Sequence, residues 1–94
     1  MTFRSPKLLR AARDQTCTLC FVNDGTVVAA HGPFEKGIGM KAPDCCIAFL
    51  CHKCHAEVDG RTGMYSQEER QLNWARAYVR TMMVLFEQNI VVVK

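Results

Sequence analysis

Two Cys-x-x-Cys turns, Cys17-Thr18-Leu19-Cys20 and Cys51-His52-Lys53-Cys54, limit what this chain can fold into more than any other feature. A turn of that spacing presents two thiolates from one loop, and two such turns complete a tetrahedral set around one zinc ion. The chain has 94 residues, near the lower end of what a hydrophobic core stabilises alone. Structural zinc adds about 10–16 kcal/mol of apparent binding energy to folding. The expectation is one domain, 1–94, closed by zinc on Cys17, Cys20, Cys51 and Cys54. Zinc ribbons commonly place about fifteen to twenty residues between the pairs. Here thirty residues, 21 to 50, intervene, and His31 is among them. The metal is therefore expected to close a frame around other chemistry.

Competing readings of the cysteines are buried free thiols, two disulfides, or a c-type haem attached through Cys51-His52-Lys53-Cys54-His55. Haem would need an oxidising compartment and would leave Cys17 and Cys20 unexplained. The start of the sequence, Met1 to Lys7, has no apolar run of signal-peptide length. Six cysteines without a secretion signal point to a reducing, cytoplasmic setting. The longest apolar runs, Cys45 to Cys51 and Met82 to Phe86, are far too short to span a membrane. The formal charge of +3, from 12 basic and 9 acidic residues, drops to about +1 once four thiolates hold a zinc ion. Net charge thus says little about nucleic acid, and distribution says more. Arg4, Lys7, Arg10 and Arg13 recur every third residue, and Lys36 and Lys41 sit in a glycine-rich segment. Such clusters suit phosphate contact as well as a solvated face.

Ser5-Pro6 predicts a helix start, running to about Asp14 with Leu8, Leu9 and Ala12 inward. Asn23-Asp24-Gly25 predicts a hairpin turn between Phe21-Val22 and Thr26 to Ala30, with His31 ending the second strand. Gly32 to Asp44 holds three glycines and two prolines, the composition of a loop. Cys45 to Leu50 predicts an apolar strand, with Cys45 and Cys46 as small core residues. A brief helix after the second cysteine turn is expected to carry His55, Glu57, Val58 and Asp59 and to end at Gly60 and Gly63. Ser66-Gln67-Glu68-Glu69 is a capping box for a long helix over about 67–89. Leu72, Ala75, Val79, Met82 and Phe86 share one face of it, beside Trp74, Tyr78 and Leu85. That face is expected to pack inward as scaffold, a partner-binding face being the alternative. Ile90 to Val93 reads as a closing strand, which leaves edge pairing or a homodimer open.

The order strand, His31, loop, strand, Cys-x-x-Cys, His55, helix is that of a ββα-metal site. The fold expected is α+β: a small zinc-stapled core over 17–60, flanked by an N-terminal helix and a long C-terminal helix. Four stretches carry a family resemblance: Arg10-Ala11-Ala12-Arg13, Val28-Ala29-Ala30-His31, Gly37-Ile38-Gly39-Met40-Lys41-Ala42-Pro43-Asp44 and Leu50-Cys51-His52-Lys53-Cys54-His55-Ala56-Glu57-Val58-Asp59. In that order they resemble the HNH endonucleases, in the zinc-stapled phage and prophage variety typified by YbcO and the C-terminal part of the Ref nuclease. The resemblance implies His31 as general base, His55 as a ligand of a catalytic divalent ion such as Mg²⁺ or Mn²⁺, and DNA as substrate. Asp59, four residues beyond His55, shares its helix face and can share that ion, cap the helix or pair with Arg61. His55 as a zinc ligand in place of a cysteine is the other reading of that residue.

Two positions depart from the family pattern. Ala30 stands where an acidic metal ligand often precedes the base histidine, and Cys46 stands in place of the middle asparagine. Asp44 is the nearest substitute, fixing the loop or orienting His31 through Nδ1–H. The leading expectation is a metal-dependent DNA endonuclease of low sequence specificity, phosphates being gripped by Lys36, Lys41, Arg10 and Arg13. Its partners would be single- or double-stranded DNA, with a homodimer or a phage or host recombination protein left open, and no membrane. The alternatives are a non-catalytic zinc-ribbon module that binds nucleic acid or protein, and a phage-type adaptor working through the long helix. His31 together with His55 and Asp59 separates the first from the others.

Overall fold

Ser5 opens the first helix, α1 (Pro6–Arg10), by accepting the Leu8 N–H on its hydroxyl, with Pro6 in the first turn where no N–H is needed. The computed structural model describes residues 3–34 and 41–94. α1 is shorter than its sequence suggests. Ala12 and Arg13 bond to carbonyls three residues back, tightening the chain, and Asp14 takes a left-handed φ of 65° that ends any continuation. Ala12 is buried, and Leu8 and Leu9 pack against the core as expected.

The hairpin expected between 21–22 and 26–30 does not form. Phe21 and Val22 instead wrap the first cysteine turn, with Phe21 N–H donating to the Cys17 carbonyl and Cys17 N–H to that of Val22. β1 (Val28–His31) pairs antiparallel with β2 (Ile47–Leu50), Val28 opposite Leu50 and His31 opposite Ile47. Thr26 explains the change. Its N–H and hydroxyl both donate to Asp24, and its oxygen accepts the N–H of His52. The 23–26 turn is thereby tied to the second cysteine turn rather than folded back on residues 21–22. Cys45 and Cys46 precede the strand in a turn, and Cys45 is exposed, so only the apolar run from Ile47 onward is in the sheet.

All four β2 residues are buried, because β1 covers one edge and the long helix α3 (Gln67–Glu87) lies along the strand. Among the described residues, no strand lies beside the second edge of β2, and two threonines satisfy its Phe49 backbone groups. Phe49 N–H donates to the Thr81 hydroxyl, and Phe49's carbonyl accepts from both the N–H and the hydroxyl of Thr18. A buried backbone group left unpaired costs roughly 1–3 kcal/mol, which accounts for Thr18 and Thr81 in an otherwise apolar core. α2 (His52–Val58) follows β2, capped by the Cys51 sulfur, and ends at Asp59 and Gly60 (φ 80°).

The capping box on α3 is present in both directions, but the helix is turned relative to the sequence expectation. Its buried face is Trp74, Ala77, Thr81 and Leu85, while Leu72, Val79 and Phe86 are exposed. Small Ala77 and hydroxyl-bearing Thr81 let the helix axis come close to β2, which the bulkier stripe would not. The closing strand is also absent. Ile90 and Val91 N–H groups both return to the Leu85 carbonyl, forming a helix-ending turn with Asn89 left-handed (φ 57°). The architecture of the described residues is a small α+β fold, three helices about a two-stranded antiparallel sheet. Among the described residues, no helix is long and apolar enough to cross a membrane.

Candidate metal centre and active site

The sulfurs of Cys17, Cys20, Cys51 and Cys54 all lie within 4.8 Å of one another, and those of Cys20 and Cys51 are 3.7 Å apart. Thiolates about 2.3 Å from a tetrahedral zinc ion stand about 3.8 Å apart, so the spacing fits that ion. A disulfide requires about 2.05 Å. In each turn the N–H of the second cysteine points at the sulfur of the first, at 3.5 Å. Burial opposes ionisation of Cys17, but N–H groups of Cys20, Cys51 and Leu19 outweigh it and bring its thiol down to about 7. Burial and the neighbouring sulfurs push Cys51 and Cys54 up. A dication removes that conflict, since bound thiolates are deprotonated outright. Among the described residues this is the one group of three or more such donors, and His55 is outside it.

His31 ends β1 and its ring reaches Asp44, with Nε2 2.8 Å from Oδ1. Asp44 is 3% exposed. It also accepts from Arg4 Nη1 at 3.1 Å and from the Ser5 N–H at 2.7 Å. Burial alone would raise the Asp44 carboxyl, but these donors, His31 foremost, lower it from 3.8 to about 2. The ring atom facing Asp44 is Nε2 rather than the Nδ1 expected from the sequence. A neutral His31 donating from Nε2 therefore keeps Nδ1 as an acceptor. Trp74 fixes the strand end from the other side, its indole N–H donating to the Ala30 carbonyl at 3.1 Å. Ala30 itself is 2% exposed. An acidic side chain there would enter the core.

On α2, His55 Nε2 stands 3.3 Å from Asp59 Oδ2. Asp59 also caps the helix and accepts from Arg61 at 3.0 Å. A cleft of about 230 Å³ is lined by both His31 and Asp59, together with Gln67, Arg70 and Gln71 of α3. His55 lies beside Asp59 and is not part of that lining. Lys41, Arg10 and Arg13 are exposed, and Lys36 lies outside the described residues. Arg4, one of the evenly spaced basic residues, is instead committed to Asp44 and to the carbonyls of Lys41 and Ala42.

Sequence reasoning missed Arg70, Gln67 and Gln71, which look like ordinary solvated positions of a capped helix. It also missed the contact of Gly32 with Trp74, where a β-carbon would lie 2.5 Å from the ring. The glycine directly after His31 was the available signal.

A solved structure of a bacteriophage protein, described as putative, from Escherichia coli str. K-12 substr. MG1655 is similar to this chain, with a TM-score of 0.69 and 24% identity over 86% of this chain and 98% of the other. That likeness shows a shared fold. No curated protein matches the chain. A family model described as "Putative nuclease YbcO" matches residues 6–90, which include both cysteine turns, His31, Asp44, His55 and Asp59. The chain belongs to the YbcO nuclease family.

Proposed function

We propose that this chain is a metal-dependent endonuclease that hydrolyses phosphodiester bonds in DNA with little sequence preference, its fold closed by one zinc ion on the four cysteines. Membership in a family described as nucleases supports hydrolysis of nucleic acid at the coarse level. The observation that carries the finer reading is the cleft that His31 and Asp59 share, with His31 held through Nε2 by Asp44.

In this reading His31 Nδ1 takes a proton from a water molecule as its oxygen attacks phosphorus. Asp44 stabilises the imidazolium that results and fixes the ring. The phosphorus–oxygen bond to the departing nucleotide breaks, and the leaving oxygen takes a proton from solvent. His55 and Asp59 would hold the divalent ion. Adjacent ligands about 2.1 Å from a hard cation stand about 3.0 Å apart, close to their 3.3 Å separation. When bound, such an ion neutralises charge growing on the phosphate and leaving oxygens. Lys41, Arg10 and Arg13, with Lys36, would hold flanking phosphates.

The test is incubation of purified protein with plasmid and single-stranded DNA, with and without Mg²⁺ or Mn²⁺, alongside His31→Ala. Ion-dependent cleavage lost in the variant is expected. No cleavage of any DNA or RNA with any added ion would favour a binding module instead.

A further inference from the structure

Arg70, the fourth residue of α3, lines the same cleft as His31 and Asp59 and has no role in the proposed hydrolysis. Its Nε is buried and has no hydrogen-bond partner among the described residues. Arg4 and Arg61, the other arginines near the site, each face a carboxylate. Among the described residues Arg70 faces none. A buried guanidinium N–H without an acceptor is costly and calls for a specific explanation, a ligand that completes it being one. The far end of the side chain is fixed by Gly60. A β-carbon at Gly60 would collide with Arg70 Nη1 and lie 2.9 Å from Cζ, so the guanidinium rests against bare backbone at the end of α2. Gly60's φ of 80° makes that position costly for other residues in any case.

The missing partner has a defined chemistry. It is an acceptor able to take a guanidinium N–H inside a cleft that already holds a histidine and a carboxylate. A phosphodiester has two non-bridging oxygens suited to the planar fork of arginine, and its charge can be shared with a cation at Asp59.

Resting on the nuclease reading, we infer that Arg70 binds the non-bridging oxygens of the phosphodiester being cleaved, in the cleft it lines with His31. It is then a catalytic residue. The donor is in place before the reaction, and its bonds strengthen as charge builds on those oxygens.

The experiment compares parent, Arg70→Gln and Arg70→Lys in two assays. In single-turnover cleavage of the DNA form the parent cuts best, Arg70→Gln should lower the rate by about 10²–10³-fold. Arg70→Lys should recover part of it, with zinc content and Tm close to the parent's. In fluorescence anisotropy on a labelled oligonucleotide without added divalent ion, Arg70→Gln should reduce the salt slope of binding by about 0.7–0.9, the signature of one lost phosphate contact. Parent-like rate and slope in Arg70→Gln would overturn the inference and leave the nuclease reading standing. A parent that binds DNA but never cleaves it would overturn the nuclease reading, while a reduced slope in Arg70→Gln would still support the phosphate contact. A parent that neither binds nor cleaves would overturn both. If Arg70→Gln fails to fold, the Arg70 Nε–H resonance of the parent decides. It shifts on titration with the same oligonucleotide if the contact exists and stays in place if it does not.

Discussion

His31 and Asp44 come from a strand and a loop thirteen residues apart and meet at 2.8 Å, the carboxylate almost wholly buried. His55 and Asp59 stand one helical turn apart on α2 at 3.3 Å, both open to water. The first pair exists only when the fold is complete, since Arg4 and Ser5 hold Asp44 from the far end of the sequence. The second needs only a helix. Tertiary construction suits the base proposed at His31, whose ring must stay aimed, because the orienting cost is met during folding. Local construction suits a metal ligand that must exchange water and phosphate around a loosely held ion.

Both pairs share one frame, and removing it should have the largest effect. A strong chelator, or Cys54→Ser, is expected to unfold the chain, since structural zinc contributes about 10–16 kcal/mol. Circular dichroism and elemental analysis would check this. Retention of the native spectrum without metal would show that the core stands alone. Next comes His31→Ala, which should reduce cleavage by about 10²–10⁴-fold with zinc content and spectrum unchanged. Comparable loss in His55→Ala at saturating divalent ion would erase the distinction between the pairs.

Asp44→Asn should cost about 2–3 kcal/mol, because it weakens a buried carboxylate with three donors. That corresponds to a Tm lower by about 10 °C or more. The same residue sets a pH signature. Its folded value, about 2, lies below the unfolded 3.8, so its contribution is full above 3.8 and is lost as pH falls from there to about 2. The cysteines release zinc when protonated, so the measurable arm lies above 3.8. The Tm gap between parent and Asp44→Asn should hold steady there for as long as zinc stays bound, and a gap that closes in that range would deny the carboxylate its role. Asp59→Ala should have the smallest effect on the fold, within about 0.5 kcal/mol for an exposed pair. It should still raise the Mg²⁺ or Mn²⁺ concentration for half-maximal cleavage by about tenfold. No change in that concentration would move the ligand elsewhere.

The same contrast marks what the sequence made legible. The cysteine turns, the cap at Ser5, the box at Ser66 and the His55–Asp59 spacing are local, and each was readable from a few neighbouring residues. The strand pairing was not, because the side-chain bonds of Thr26 that steer it depend on Asp24 and on distant His52. The face of α3 was misread because apolar residues occur on more than one side of it. The deciding partners were the Phe49 backbone N–H and carbonyl on the edge of β2, which no helical periodicity records. Asp44 was found only as a neighbour in sequence to a missing asparagine. Its donors Arg4 and Ser5 lie some forty residues away in the sequence.

Trp74 is the only tryptophan in the chain, and it touches the peptide that follows His31, with Phe34 and Tyr78 against its ring. Its indole N–H is spent on the Ala30 carbonyl, so the chromophore is tethered to the strand end that carries His31. Intrinsic fluorescence is therefore a local optical gauge of the cleft. Emission should respond when DNA or a divalent ion shifts the end of β1, and stay still when changes are confined to the outer face of α3. No label is required, and the signal can be followed in the same cuvette as cleavage.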